Sequence, residues 1–146
     1  DRPEIGERMA ATAAKELLER GFFEGVDIIV PLPLSRQKKS QRGYNQCDHI
    51  AFGISKVTGI AIDSKSVIRH IANATQTHKQ REERWKNVEN IFSVTDSPSL
   101  KGKHILLVDD VLTTGATLTS CGKAILAASP DTKISIFTLA CAGKNI

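Results

Sequence analysis

Two adjacent carboxylates and the turn of small, hydroxyl-bearing residues after them form the stretch of this sequence best suited to chemistry. Asp109 and Asp110 directly follow the apolar run Ile105–Val108, and the turn Thr113–Thr117 precedes a helical pattern that begins at Leu118. The apolar run has the length and branching typical of a strand buried on both faces. In an open parallel sheet, ligands bind where the carboxyl end of a strand leads into a helix. We therefore expect a ligand site at this junction, residues 105–118, which we name the elbow.

The turn of the elbow has the features of a phosphate site. Backbone N–H groups at a helix N-terminus and the positive end of the helix dipole suit an anion. Threonine hydroxyls add donors, and a glycine lets a ligand approach the backbone closely. The predicted phosphate-binding residues are Thr113, Thr114, Gly115, Ala116 and Thr117.

The paired acids need a different partner. Asp109 and Asp110 would repel a bound phosphate unless sugar hydroxyls or a hard cation such as Mg²⁺ lay between them. A phosphate cradle beside two sugar-binding acids describes a phosphorylated ribose. The alternative is a solvated strand end followed by an ordinary Thr/Gly helix cap.

The run Val108–Thr117 resembles the phosphoribosyl-pyrophosphate (PRPP) signature of the type I phosphoribosyltransferases. The resemblance implies Mg²⁺-dependent transfer of phosphoribosyl from PRPP to a nitrogen nucleophile, with release of pyrophosphate. It also implies that Thr113–Thr117 hold the 5′-phosphate. Asp109 and Asp110 would be the catalytic carboxylates. They would contact the ribose hydroxyls directly, or the metal ion through its bound water. The signature identifies the superfamily and not the acceptor.

Other blocks, in the same order along the chain, are similar to those of the ComF family. They are Pro31–Leu34, Arg42–Gln46 and Thr75–Thr77, followed by Arg81, Arg84, Asn87 and Phe92. This resemblance covers roughly residues 26 to 140, and the family is associated with bacterial competence and DNA uptake. Many members start with a cysteine-rich zinc-binding module that these 146 residues do not contain. Either it was trimmed away or this member lacks it, so a function of that module is not implied.

A basic loop follows the first predicted strand. Arg36, Lys38, Lys39 and Arg42 are close together in the sequence, and Ser35 precedes them. Arginine offers forked contacts to phosphate and lysine a point charge. We assign Ser35, Arg36, Lys38 and Lys39 to the departing pyrophosphate. A solvated charged loop is the alternative.

A second group of residues is assigned to a lid or to the acceptor site: Arg42, Tyr44, Gln76, Arg81 and Arg84. Tyr44 either packs at the start of a helix or lines a pocket with its ring and hydroxyl. Arg81 and Arg84 share one face of a helical turn. They either close over an anionic ligand or belong to an ordinary amphipathic helix. Both pairs of alternatives stay open at this point.

The acceptor is constrained by Thr113. Purine-salvage relatives carry an acid at this position, whereas a threonine is no base at neutral pH. This favours an amine or a pyrimidine-like acceptor. It also leaves room for a PRPP-binding regulator without turnover, or for a single-stranded DNA-binding competence protein. Aromatic residues make up only 5% of the chain, which is a poor base-stacking platform, while an electrostatic groove remains open.

The elements that must position these residues alternate between strand and helix patterns. This predicts an α/β fold with an open, mainly parallel β-sheet and helices on both faces, like that of the type I phosphoribosyltransferases. The first predicted helix is Pro3–Phe23, with Ile5, Met9, Ala13, Leu17 and Leu18 toward the sheet. The second ends at Gly59 and has Ile50, Ile54 and Val57 on one face. The third is Thr117–Ala128, with Leu118, Cys121, Ile125 and Leu126 toward the sheet. The predicted strands are Asp27–Pro31, Ala61–Ile71, Ile91–Val94, Ile105–Val108 and Ile134–Ala140, and Ser97–Gly102 is predicted to be a surface turn.

Composition sets the remaining bounds. The 146 residues, 40% apolar with a net charge of +4, fit one globular domain. No apolar stretch approaches the ~18 residues of a membrane span. Cys47, Cys121 and Cys141 form no C-x-x-C pair, which favours buried thiols in a reducing cytoplasm. The candidate partners are PRPP, a nitrogen acceptor, single-stranded DNA, competence proteins and a second copy of the chain.

Overall fold

The computed structural model describes residues 2–34, 40–41, 43–70 and 91–142. Within these ranges the chain forms helices and strands in near-regular alternation. In chain order they are α1 (Pro3–Glu19), β1 (Ile28–Pro31), α2 (Gln46–Thr58), β2 (Ala61–Ile62), β3 (Val67–Arg69), β4 (Phe92–Val94), the one-turn helix α3 (Ser97–Leu100), β5 (His104–Leu112), α4 (Ala116–Ala128) and β6 (Lys133–Cys141).

The main sheet has four strands in the order β2-β1-β5-β6, and every neighbouring pair is parallel. Strands β3 and β4 form a separate antiparallel pair. Since successive side chains of a strand point to opposite faces, the buried strands β1 and β5 present apolar groups to both sides of the sheet. The predicted α/β fold with a mainly parallel sheet is confirmed.

Two apolar clusters cover the two faces of the sheet. On one face, Ile29, Leu106 and Val108 pack with residues of α1 and α2. On the other, Val30 and Leu107 pack with residues of α4, of the β3–β4 pair and of α3. Helices therefore lie on both sides of the sheet, as predicted.

Helix α1 packs through a different face from the predicted one. Its buried residues are Gly6, Ala10 and Ala14, whereas Ile5 is 48% and Met9 53% exposed. The small residues allow α1 to approach α2 closely, and larger side chains on that face would hold the two helices apart. The prediction of Ile5, Met9 and Leu18 as the packing face was therefore wrong; Leu18 is also exposed.

Three further predictions need correction. The strand predicted over Ala61–Ile71 is two strands, β2 and β3, separated by a turn in which Asp63 Oδ1 accepts from the N–H groups of Lys65 and Ser66; Ile71 lies outside the described residues. The Ser97–Gly102 segment contains α3, and its Leu100 is fully buried in the core. Leu126 of α4 is exposed rather than directed toward the sheet.

The described part of the chain has no helix that is both long and apolar enough to cross a membrane. The three cysteines are free thiols, and Cys47 and Cys121 are buried as predicted. The same prediction was wrong for Cys141, which is exposed at the end of the edge strand β6.

Candidate functional site

The two acids of the elbow lie where β5 continues beyond its neighbour β1. The last paired residues of these strands are Pro31 and Val108, and β5 runs on to Leu112. The predicted strand ended at Val108. It is longer because β6 pairs with it further, matching Asp109 with Thr138 and Leu112 with Cys141. Asp109 and Asp110 therefore belong to a strand whose other edge has no β1 residue beside it.

The turn that follows is short and ends in a left-handed glycine. Gly115 has φ 74° and caps α4, which begins at Ala116, so the predicted phosphate-binding residues comprise three turn residues and the first two of the helix. The hydroxyl of Thr114 accepts from the Ala116 N–H at 3.3 Å. The first N–H groups of a helix have no carbonyl partner within it. Free donors are thus expected at this point.

A small cavity of about 40 Å³ lies at the turn. That volume holds more than one water-sized group. Its lining residues come from the end of β5, the turn and the start of α4: Asp109, Val111, Leu112, Thr113, Gly115, Ala116, Thr117 and Leu118. The structure therefore brings one of the two predicted acids and four of the five predicted phosphate-binding residues around one space.

The two carboxylates are anchored by neighbouring backbone groups. Asp109 Oδ1 accepts from the Asp110 N–H at 2.9 Å, and Asp110 Oδ1 accepts from the Val111 N–H at 2.8 Å. Burial raises the pKa of Asp109, and repulsion from Asp110 adds to this, although the hydrogen bonds that Asp109 accepts from Asp110 and Cys47 oppose the change. A positive charge or hydrogen-bond donors supplied by a ligand would stabilise the ionised form of Asp109.

Cys47, in the first turn of α2, contacts the first acid. Its Sγ lies 3.6 Å from Asp109 Oδ1 and donates a hydrogen bond to it. Burial raises the pKa of the Cys47 thiol far above its usual range, and the negative charges of Asp109 and Asp110 raise it further. The residue is therefore a neutral donor at physiological pH.

Asn45 fixes the start of α2 beside the end of β1. Its side chain accepts from the Cys47 N–H at 3.3 Å as the helix cap and donates to the Leu32 carbonyl at 3.1 Å. Leu32 in turn donates its N–H to the Val108 carbonyl. The side chain of Asn45 thus caps α2 and, through Leu32, is tied to the strand that carries the acids.

The donor set fits a substrate-borne Mg²⁺ better than a permanent metal centre. Among the described residues, no three His, Cys, Asp or Glu side chains cluster as a metal-binding group. Mg²⁺ is commonly held by only one or two carboxylates together with substrate phosphates and water. In Asp109 and Asp110, Oδ1 is engaged by a backbone N–H, and Oδ2 remains as a further acceptor. The pair therefore has the chemistry that such an ion requires.

Of the predicted lid or acceptor residues, the structure describes Tyr44. Its ring meets that of His49 edge-on at the start of α2, with centroids 5.5 Å apart. The remaining predicted site residues lie outside the described ranges, and their assignments stay predictions: Ser35, Arg36, Lys38, Lys39, Arg42, Gln76, Arg81 and Arg84.

Sequence reasoning missed the contact between Cys47 and Asp109. It treated the cysteines only as buried thiols. A signal was present, because Cys47 is two residues after a helix cap that follows a strand. In a parallel sheet, the start of the helix after one strand and the carboxyl end of the strand paired beside it lie at the same end of the sheet.

Comparison with known proteins shows the family of the chain. Residues 6–145 match the phosphoribosyl transferase domain. The chain is 34% identical over 128 residues to DNA utilization protein YhgH of Salmonella typhi, covering 86% of the chain and 56% of that protein. It is 33% identical over 112 residues to competence protein ComFC of Bacillus subtilis, covering 77% of the chain and 43% of that protein. The chain thus spans about half the length of the curated relatives it matches.

Solved structures agree on the fold. Glutamine PRPP amidotransferase from B. subtilis, complexed with ADP and GMP, superposes with a TM-score of 0.63 at 16% identity, over 94% of this chain and 26% of that one. Adenine phosphoribosyltransferase from Saccharomyces cerevisiae gives 0.52 at 12% identity, over 89% and 65%. The competence-protein relatives confirm the predicted ComF resemblance. With its strand–turn–helix site and a domain match over nearly its full length, the chain belongs to the phosphoribosyl transferase domain family.

Proposed function

We propose that the protein binds PRPP with Mg²⁺ and transfers its phosphoribosyl group to a nitrogen nucleophile, releasing pyrophosphate, as a single domain in the cytoplasm. The observation that carries this proposal is the elbow, where a half-buried acid and a glycine-capped helix start line the same small cavity. An anion site directly beside an acid has a simple chemical explanation in a ligand that carries both a phosphate and neighbouring hydroxyls.

The turn residues Thr113–Thr117 take the 5′-phosphate in this proposal. The N–H groups at the start of α4 and its dipole attract the anion. Gly115 has a left-handed backbone that places the turn without a side chain in the way. Thr113 and Thr114 are exposed, so their hydroxyls are accessible to the ligand.

Asp109 and Asp110 take the ribose hydroxyls or the hydration shell of the cation. A bound Mg²⁺ would neutralise negative charge on the pyrophosphate. The ribose hydroxyls donate to the two carboxylates, which fixes the sugar relative to its attacking partner. The negative acids also favour the positive charge that develops on the sugar ring as its bond to pyrophosphate breaks.

The reaction itself is a substitution at the anomeric carbon. The nitrogen lone pair forms the new C–N bond, and the C–O bond to pyrophosphate breaks with its electron pair leaving on oxygen. A proton lost from the nitrogen passes to solvent or to the pyrophosphate. The loop residues Ser35, Arg36, Lys38 and Lys39 stabilise the departing anion, and Arg42, Tyr44, Gln76, Arg81 and Arg84 serve the lid or the acceptor.

The acceptor is an amine or a pyrimidine-like base. Thr113, the residue after β5, is a neutral hydroxyl side chain and offers no general base for a purine proton. Two residues before it, Val111 is an exposed apolar side chain on the same segment.

Calorimetry with PRPP, in the presence and absence of Mg²⁺, tests the binding step. We expect saturable binding that strengthens when Mg²⁺ is added. A pyrophosphate-release assay across a panel of amines and bases then tests the transfer step. Binding without pyrophosphate release from any acceptor would leave a PRPP-binding regulator, and no binding at all would refute the assignment of the elbow.

A second candidate function is suggested by the names of the relatives, a DNA utilization protein and a competence protein. In that case the chain is a PRPP-responsive or single-stranded DNA-binding competence protein. The net charge of +4 favours a weak electrostatic contact with nucleic acid. Anisotropy with a labelled oligonucleotide tests it. Steeply salt-dependent binding that PRPP abolishes would mean that DNA and PRPP share one basic surface.

A further inference from the structure

Cys47 occupies an unusual place for a buried cysteine. It is 3% exposed and packs in the same apolar cluster as Leu107 and Leu118, which both belong to the elbow. Its thiol nevertheless lies 3.6 Å from a carboxylate oxygen, Asp109 Oδ1. A sulfur atom that only filled core space would contact carbon atoms, so the polar contact calls for a role.

The contact completes a two-point hold on one oxygen of Asp109. Oδ1 accepts from the Asp110 N–H at 2.9 Å and from the Cys47 thiol at 3.6 Å. Two donors arriving at the same oxygen from different elements restrict rotation of the carboxylate. They also leave the second oxygen, Oδ2, for other partners.

The backbone that carries the thiol is itself held in place. Asn45 accepts the backbone N–H of Cys47 and donates to the Leu32 carbonyl at the end of β1. The donor on Asp109 is therefore part of a chain of hydrogen bonds that links α2, β1 and β5. A group held this way can orient a carboxylate, whereas a mobile surface donor could not.

We infer that Cys47 is a positioning residue that orients Asp109 toward the sugar hydroxyls of the bound ligand. The inference rests on the proposed PRPP function. The hydrogen bond that the Cys47 thiol donates goes to Asp109, so its effect on the ligand passes through Asp109. It must therefore influence ligands with a ribose more than ligands that occupy only the phosphate turn.

Four variants separate this role from simple core packing. Cys47→Ala removes the donor, and Cys47→Ser keeps one. Cys121→Ala and Cys121→Ser make the same changes at the other fully buried cysteine of the same apolar cluster. Each variant is titrated calorimetrically with PRPP plus Mg²⁺ and with inorganic phosphate, well below its unfolding temperature.

We expect Cys47→Ala to weaken PRPP binding about fivefold, the usual worth of one hydrogen bond. Phosphate affinity should stay within about twofold, because the hydrogen bond of the thiol goes to Asp109. Cys47→Ser should recover most of the PRPP affinity, and both Cys121 variants should bind PRPP like the parent even where they unfold at lower temperature.

Three results would overturn the inference: unchanged PRPP affinity in Cys47→Ala, equal losses for PRPP and phosphate, or a serine variant no better than alanine. In each of these cases the parent protein still binds PRPP, so the proposed function stands. A parent protein that binds phosphate but not PRPP would remove both the proposed function and the role of Cys47. If Cys47→Ala does not fold, Cys47→Val, which fills the space without a donor, takes its place with the same expected losses.

Discussion

Pro31 stands opposite Val108 in the register of β1 and β5, and it is the last residue of β1. The next residue of β5 is Asp109, so the first acid of the elbow occupies the first position that has lost a neighbour on that side. On the other side it is still paired, to Thr138 of β6. The acids thus begin where β5 loses the pairing with β1, while β6 continues to pair with the strand that carries them.

Replacing both acids tests the ribose and metal assignment. Asp109→Asn combined with Asp110→Asn should weaken Mg²⁺-dependent PRPP binding by at least about tenfold, because hydrogen bonds to a charged group contribute roughly 1.5–3 kcal/mol. The fold should survive, and the free energy of unfolding should stay equal or rise by a few tenths of a kcal/mol, since two adjacent, solvent-screened charges no longer repel. Calorimetry and urea unfolding measure the two effects.

Glu24→Gln is the control for the loss of a negative charge, because Glu24 is exposed in the connection before β1, away from the elbow. It should bind PRPP normally. Unchanged affinity in the double Asn variant would remove Asp109 and Asp110 from the ligand site.

Gly115→Val tests the phosphate turn. A Cβ at this position would meet Leu112 Cδ1 at 3.5 Å, an ordinary contact, so space is not the obstacle. The φ of 74° is the obstacle, because a β-branched residue in the left-handed region costs about 1–3 kcal/mol. The turn should shift to a relaxed backbone and lose inorganic phosphate and PRPP together.

Gly59→Val is the matched control for that strain. Gly59 has φ 73° at the end of α2, with no heavy atom within 4 Å of an added Cβ. It should lower stability by a similar amount and leave both affinities intact. Phosphate binding by Gly115→Val at parental strength would place the anion elsewhere.

The elbow was predictable because its signal is local. An apolar run, two acids and a Thr/Gly turn specify strand, edge and helix start without reference to distant residues. The extension of β5 to Leu112 was not predictable in this way, since it depends on the nine-residue length of β6. The contact of Cys47 with Asp109 links residues 62 positions apart, and periodicity contains no information about such pairs.

The prediction of the buried face of α1 was wrong because it favoured the larger side chains. Ile5 and Met9 are the larger apolar residues, and the spacing pattern favoured them as the buried face. The structure instead buries Gly6, Ala10 and Ala14, because the neighbouring element is a helix that comes very close. A face of small residues indicates close helix packing, whereas a simple count of apolar residues favours the large ones.

The basic loop gives a prediction that depends on the sequence alone. Lys38→Ala combined with Lys39→Ala should weaken binding of pyrophosphate and of PRPP by about tenfold, since two point charges on the leaving anion are lost. Ribose 5-phosphate, which carries no pyrophosphate, should bind as before. Competition titrations compare the three ligands. Equal losses for all of them would move the lysines away from the pyrophosphate.

Asp63 gives a prediction for the dependence of stability on pH. Burial raises the pKa of Asp63, but hydrogen bonds from Ser66, the Lys65 N–H and Ser99 outweigh it, and the pKa lies below its ordinary value. A carboxyl group whose pKa is lowered by folding stabilises the folded state at every pH above its pKa in the unfolded chain. This contribution is lost as the pH falls through its pKa in the folded state.

Asp63→Asn should therefore lower the free energy of unfolding by about 1 kcal/mol at pH 7 and pH 5. Below about pH 4, where carboxyls of unfolded chains protonate, the difference from the parent should shrink steadily. Urea unfolding followed by circular dichroism at several pH values measures it. A difference that stays constant from pH 7 to pH 3 would show that the Asp63 charge contributes nothing to the turn.

The crossing of α1 and α2 gives the last prediction, with a matched pair of glycines. An added Cβ at Gly53 of α2 would clash with the Glu7 carbonyl oxygen and lie 3.2 Å from the Ala10 Cβ. The clash is with backbone, so no side-chain rotation relieves it, and α1 must move away from α2. Gly53→Ala should lower the free energy of unfolding by about 2–3 kcal/mol, the usual cost of overpacking a core, despite the better helix propensity of alanine.

Gly6→Ala makes the same change from the α1 side of the same crossing. There an added Cβ would meet Ile50 Cγ1 at 3.6 Å and Gln46 Nε2 at 3.7 Å, both ordinary contacts. The substitution should be neutral or stabilising by up to about 1 kcal/mol, because alanine favours a helix over glycine. Thermal and urea unfolding of the two variants side by side measure the contrast. Cys47 lies in the first turn of α2 and Asn45 caps it, so a shift of α2 that accompanies the separation of the two helices in Gly53→Ala should also loosen the hold on Asp109 and weaken PRPP binding. Equal stabilities for the two alanine variants would mean that α1 and α2 do not approach as closely as the Gly53 contact requires.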